Sequence, residues 1–231
     1  MIRFAHVSLG EGAGPSCLKC AGAVPAVRPR SGHDVIAEIQ EVANEWTAGT
    51  GPNVFLEGFE PFAHPELPAL VAAATKAGFV RVGLETDAGA LAQVGNAAGA
   101  LHAGVRHVRF RTLGLDSTGD ELAGRPGLAV IASAGIRMFR ETAALAGTRV
   151  AVSAVIPVCR HNVRSLSATV AALADMGVGA VRLARAGDVP ASAMAEVAAA
   201  CDTGTVNRVW VDVYDLPVPE THRAHLAEET S

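Results

Sequence analysis

Two residues separate Cys17 from Cys20. Two thiols at that spacing can be half a zinc site, a redox pair or a chance pairing. A second group, Gly58-Phe59-Glu60-Pro61, joins a permissive backbone to a carboxylate. Thr86, Thr112 and Arg160 add two hydroxyls and a guanidinium, and Cys159 adds a thiol beside Arg160. Each also has a structural reading. Glu60, His64 and Asn162 can cap helices, and Cys159 and Cys201 can be small packing residues. Asp212 and Asp215 can be a solvated strand end, and His6, His102 and His107 have no metal-ligand spacing. What joins Cys17, Cys20, Glu60, Thr86, Thr112 and Arg160 is position, because each follows a stretch that reads as a short strand.

Those strands belong to a recurring unit of helix end, glycine and β-branched run. It appears at Ala77-Gly78-Phe79-Val80, Ala103-Gly104-Val105, Ala146-Gly147-Thr148-Arg149-Val150 and Met176-Gly177-Val178. Each glycine stands where a helix C-terminus needs a left-handed residue. The pattern predicts strands over Phe4–Leu9, Asn53–Glu57, Val80–Glu85, His107–Thr112, Arg149–Ile156, Ala180–Ala184 and Arg208–Val213. Helical spacing links Val35, Ile39, Val42 and Trp46. It also links Leu67, Leu70, Val71 and Ala74 in a helix starting at His64-Pro65, and Val163, Leu166, Val170 and Leu173 after Asn162 as N-cap. Leu128–Ala134 reads as a buried helix and Ala21–Gly32 as a loop.

Strand–helix alternation means an α/β fold with a parallel sheet. So few short strands in 231 residues predict a TIM-like partial parallel (β/α)6-7 barrel over residues 1–216, with 217–231 as an irregular polar tail. A doubly wound sheet is the alternative. In a parallel barrel the loops after the strands share one face, so the polar groups would meet at one mouth.

Composition narrows the function. Half the residues are apolar and 18% are charged, which suits one folded domain with a sizeable core. A net charge of −4 with one tyrosine and two tryptophans provides neither a basic field nor a stacking platform, so nucleic acid is not an expected partner. No apolar run approaches the ~18 residues of a membrane span. The first residues lack signal-peptide features. A cytoplasmic protein without a membrane partner is the expectation, and four cysteines form no disulfide framework.

With these groups in place, nearly the whole chain resembles the radical S-adenosylmethionine (radical SAM) family. The cysteine loop resembles its C-x-x-x-C-x-x-C motif, with Ala13 at the first cysteine position and Lys19 at a position often aromatic. Leu56–Leu67 resembles the family's Gly-Gly-Glu-Pro segment and the His-Pro-acidic-Leu after it, with Phe59 in place of the second glycine. Gly83–Gly89 and Val155–Asn162 are similar to the third and fifth strand ends.

The resemblance implies a [4Fe–4S] cluster with Cys17 and Cys20 as ligands. It implies S-adenosylmethionine bound through Gly58, Phe59, Glu60 and Pro61, with Thr86, Thr112 and Arg160 at its carboxylate and ribose contacts. It implies reductive cleavage of that cofactor to start radical chemistry on a small molecule or peptide, and it identifies no residue acting on the substrate. Thiolates usually hold all four irons of such a cluster, and three protein thiolates leave one iron open. Two loop thiolates should hold it poorly. Ala13 leaves several readings open: a fold that has lost its cluster, a substituted ligand in an intact enzyme, rescue by Cys159, or a resemblance that stops short of the family. Two other functions stand beside the enzyme. One is a non-catalytic partner or peptide-binding subunit, and the other is a cluster-free barrel that binds a small molecule.

Overall fold

The computed structural model describes residues 4–11, 28–46 and 52–216. Ala13, Cys17, Lys19 and Cys20, and the tail 217–231, lie outside the described residues. The chain begins with β1 (Ala5–Ser8), β2 (Gly10–Glu11), β3 (Arg28–Pro29) and α1 (Gly32–Glu45). It continues with β4 (Asn53–Glu57), α2 (Leu67–Lys76), β5 (Arg81–Thr86), α3 (Val94–Ala103) and β6 (Val105–Arg111). Then come α4 (Ser117–Ala123), α5 (Leu128–Leu145), β7 (Ala151–Val158), α6 (Leu166–Asp175), β8 (Ala180–Arg185), α7 (Met194–Val206) and β9 (Trp210–Tyr214).

Seven strands form one all-parallel sheet in the order β1-β4-β5-β6-β7-β8-β9. Every strand expected from the sequence is present. The order also decides between the two candidate topologies. A doubly wound sheet reverses its strand order partway, and this one never does. The sheet curls into a TIM-like half-barrel with alternating helices.

Each strand follows the period of two. Val54, Leu56, Val82, Leu84, Val108, Phe110, Ala154, Ile156, Val181 and Leu183 are buried under the helices. The alternate residues, Glu57, Glu85, Arg109, Arg111 and Arg182 among them, face the concave side. One irregularity keeps that pattern. The β5–β6 register shifts between Val82 and Gly83, so Val82 pairs with Val105 but Gly83 with His107. The extra residue, Arg106, turns back to donate to the carbonyls of Leu101 and Val105.

The recurring glycines Gly78, Gly104, Gly147 and Gly177 all have positive φ. Several other expectations need correction. Arg28–Pro29 is not loop but the return strand of a ribbon, pairing with Gly10–Glu11. A two-residue strand has no period for a sequence to reveal.

Helix α2 starts at Leu67 rather than His64-Pro65, and Pro61–Ala63 form a separate 3-10 turn. His64 does not cap α2. Its Nδ1 accepts the Glu66 N–H (3.1 Å), and its Nε2 lies 3.0 Å from the Arg30 carbonyl. Glu66 instead receives the Gly32 N–H (3.1 Å) and so caps α1 across space. Asn162 is no side-chain N-cap either. It is fully buried, its Oδ1 accepts from Cys159 N, and its Nδ2 donates to the Leu113 and Pro157 carbonyls.

Helix α5 is not buried all round. Ala132, Gly135, Ile136 and Phe139 face inward, while Val130 and Ile131 are 74% and 50% exposed. That is the one-sided burial expected of a surface helix. Among the described residues, no helix is long and apolar enough to cross a membrane.

Candidate functional site

Parallel strands send their following loops to the same end of a sheet. At that end Gly58 leaves β4 with φ +85, and a Cβ on it would lie 2.7 Å from Ser8 Oγ. Conformation and space both require glycine there. A Cβ on Gly10 would lie 3.1 Å from the Phe59 Cβ. The β2–β3 ribbon, from which the cysteine loop starts and to which it returns, therefore stands against the Gly58-Phe59 turn.

Glu60 is the best-anchored polar group at this mouth. One carboxylate oxygen accepts from Thr86 Oγ1 (2.7 Å) and from Phe62 N (3.4 Å), and the other from Asp87 N (3.0 Å). Burial raises its pKa to about 7, helped by the Asp87 charge and opposed by the three hydrogen bonds. Thr86 in turn accepts from Ala88 N (3.0 Å). Asp87 accepts from Gly89 N (2.8 Å) and pairs with Arg125. Gly58, Phe59, Glu60, Glu85, Thr86, Asp87 and Arg111 line a small cleft between β4 and β5, and Pro61 is buried beside it.

Thr112 and Arg160 follow the neighbouring strands at the same end, but their side chains are directed elsewhere. Thr112 is buried, donating to the Gly114 carbonyl (2.7 Å) and accepting its N–H (3.1 Å). Arg160 is exposed, with its Nε 3.2 Å from His161 Nε2. The structure thus gathers Glu60 and Thr86 with Gly58, Phe59 and Pro61, and leaves Thr112 and Arg160 apart from them.

The thiols decide whether a cluster fits. Cys159 is fully buried in an apolar pocket with Leu113 and Leu122, and Cys201 is partly buried on α7. Among the described residues, no group of three His, Cys, Asp or Glu side chains could hold a metal ion. Only two thiols remain for the loop, so the donor set does not fit a cluster held by three cysteines.

Below the mouth the concave face carries a charged array that was not singled out from the sequence. Arg109 Nε donates to Glu85 (2.6 Å) and its Nη2 pairs with Glu57. Arg111 Nε donates to the other Glu85 oxygen (2.7 Å). Arg109 also lies 4.1 Å from the Phe55 ring centroid. Burial pushes the Glu57 pKa up, but His6 at 2.9 Å and the two arginines outweigh it and hold the carboxyl below its usual value.

His107 is driven down to about 4 by burial and by Arg109 and Arg81. It is neutral at ordinary pH, with Nε2 2.8 Å from Ser153 Oγ. Asp212 pairs with Arg182 (2.7 Å). The alternation of Val108 and Phe110 with His107, Arg109 and Arg111 was the available signal. A polar inner face on an apolar outer face reads as an occupied or solvated lumen.

No family model matches this chain, and no curated protein does. Solved structures do. Streptococcus suis SuiB bound to S-adenosylmethionine superposes with a TM-score of 0.64 at 13% identity, over 100% of this chain and 54% of that one. SuiB bound to the precursor peptide SuiA gives 0.63 at 13% identity, over 93% and 49%. Methylornithine synthase (PylB) gives 0.58 at 9% identity, over 94% and 72%. The chain spans about half the length of the SuiB chains it matches. At these identities the likeness establishes the fold alone, a TIM-like half-barrel with alternating helices.

Proposed function

We propose that the chain is a radical SAM-type half-barrel that binds S-adenosylmethionine at the β4–β5 mouth and, with Ala13 in its loop, does not sustain the cluster needed for reductive cleavage. Its role is then to hold cofactor and ligand, alone or for a partner, rather than to generate radicals unaided. The observation that carries the reading is the Gly58–Pro61 turn, with Glu60 fastened to Thr86 beside the ribbon from which the cysteine loop departs. The SuiB structure with S-adenosylmethionine supports the choice of cofactor. The cofactor's ammonium group would pair with the Glu60 carboxylate, while Gly58 gives it close access to the backbone.

Calorimetric titration with S-adenosylmethionine tests this. An ammonium group favours the ionised form of Glu60, so binding should tighten as pH rises through about 7. Glu60→Gln should weaken binding by about tenfold, on the scale of one charge-assisted hydrogen bond, and flatten the pH dependence. Failure to bind, both as purified and after anaerobic iron–sulfide treatment, removes the reading.

A second reading is a peptide-holding subunit that makes no use of the cofactor. The SuiB structure with its precursor peptide favours it. Tight peptide binding that is indifferent to S-adenosylmethionine would select it.

A further inference from the structure

The concave residues stand in register rows. Arg111 is opposite Val155, Val155 opposite Arg182, and Arg182 opposite Asp212. The two arginines are therefore two strands apart, roughly 10 Å along the backbone rows, with only Val155 between them. The next row toward the amino ends runs Arg109, Ser153, Ala180 and Trp210. Small side chains on β7 and β8 leave that part of the face hollow, whereas ion pairs fill the β4–β6 side. The cavity along the whole concave face, lined from Phe4 and Phe55 to Trp210 and Tyr214, is about 470 Å³, within the range of small-ligand sites.

Neither flanking guanidinium is fully engaged. Arg111 gives Nε and Nη2 to Glu85, and Arg182 gives Nε to Asp212. Among the described residues, Arg111 Nη1 and both terminal nitrogens of Arg182 donate to nothing. A planar fork with free N–H groups matches the oxygens of a carboxylate or phosphate. Both arginines line the same concave cavity, Arg111 held on its β5 side by Glu85 and Arg182 on its β9 side by Asp212. Beyond Arg182 the wall is aromatic. Trp210 and Tyr214 line the cavity and are 45% and 63% exposed, and Arg182 lies 5.9 Å from the Tyr214 ring centroid. Exposed rings beside a cation suit the apolar body of an anionic ligand.

We propose that the lumen between Arg111 and Arg182 binds an oxyanion, the carboxylate or phosphate of a ligand whose apolar body rests on Trp210 and Tyr214. This deepens the reading of the half-barrel as a ligand-holding protein and does not depend on S-adenosylmethionine at the mouth. Asp212 is the internal competitor, because it already occupies one edge of the Arg182 fork.

In a Trp46→Phe background, Trp210 is the one remaining tryptophan and reports on the lumen by fluorescence. The probes are phenylacetate, phenyl phosphate and the neutral phenylacetamide. Saturable quenching by at least one anion is expected, with the amide weaker by about tenfold. Arg182→Gln should weaken the anion by a similar factor and leave the amide unchanged. Asp212→Asn should tighten the anion several-fold. That opposite pair of signs cannot come from damaged protein.

The tighter anion assigns the source as carboxylate or phosphate. Equal binding of anion and amide, no saturable quenching by any probe, or indifference to Arg182→Gln would each overturn the proposal. Arg182 lies outside the mouth cleft, so S-adenosylmethionine titration of Arg182→Gln keeps the two readings apart. Retained cofactor binding with lost anion binding is expected. Retained anion binding with no cofactor binding would sink the mouth reading alone.

Discussion

Glu60 holds the ends of β4 and β5 together at the cost of burying a carboxylate beside Asp87. Its pKa near 7, against an ordinary value of 4.5, means that the folded chain takes up a proton there before the unfolded chain does. The group's contribution to stability is therefore full below about pH 4.5 and is lost as pH rises toward 7. The size of the loss is on the order of 3 kcal/mol. Urea unfolding of the wild type and Glu60→Gln at pH 5 and pH 8 measures it. The difference between the two proteins should shift in favour of the variant at pH 8. A difference that does not change with pH would mean that Glu60 is not buried as described. The sequence pointed to Glu60 through its place in Gly58–Pro61. It could not show the raised pKa, because Asp87 reaches Glu60 only through the pairing of β4 with β5.

At the scale of elements, the mouth depends on how α5 packs. Ala88 has φ +62 in the turn after β5, and a Cβ on Gly135 of α5 would lie 1.9 Å from its carbonyl oxygen. An alanine in a helix interior normally gains ~1 kcal/mol over glycine. Here the added methyl must push α5 off the turn. Gly135→Ala should therefore destabilise by about 1–3 kcal/mol, the usual cost of overpacking. Because Asp87 N donates to Glu60 in the same turn, the variant should also loosen S-adenosylmethionine. Denaturant midpoints and calorimetry read the two effects, and a stabilised variant would refute the close packing.

Elements with a period were legible from the sequence: β4 from its apolar run, and α2 and α6 from their three-and-four spacing. Features without a period were not. The β2–β3 ribbon is two residues a side, and the roles of His64, Glu66 and Asn162 are set by partners distant in the chain, Arg30, Gly32 and Leu113. The concave array was written in the alternation of β6. Its ion pairs require knowing that Glu57, Glu85 and Arg109 stand on adjacent strands.

For the whole molecule, a strand order that never reverses leaves one curled face and one mouth, and the cysteine loop leaves from that mouth. The count of thiols then governs what the molecule can do. Anaerobic reconstitution of the wild type should give well under one cluster per chain, since two loop thiolates leave two irons without a protein thiolate. Cys159→Ser should leave the iron content unchanged, because Cys159 packs with Leu113 and Leu122. A drop in iron would show that this thiol reaches the loop after all. Ala13→Cys is the decisive variant. If the loop is one ligand short and otherwise intact, iron and sulfide should rise toward four each per chain, the content of a [4Fe–4S] cluster, and S-adenosylmethionine should be cleaved to 5′-deoxyadenosine. If Lys19 and Phe59 mark a loop that has drifted, the third thiol will meet no preformed geometry. Iron will then stay low while the fold persists by circular dichroism, because such sites tolerate only a few tenths of an ångström of displacement. The first result makes the chain a disabled enzyme, and the second makes it a binding protein on an enzyme's fold. A wild type that already holds a full, stable cluster would exclude both.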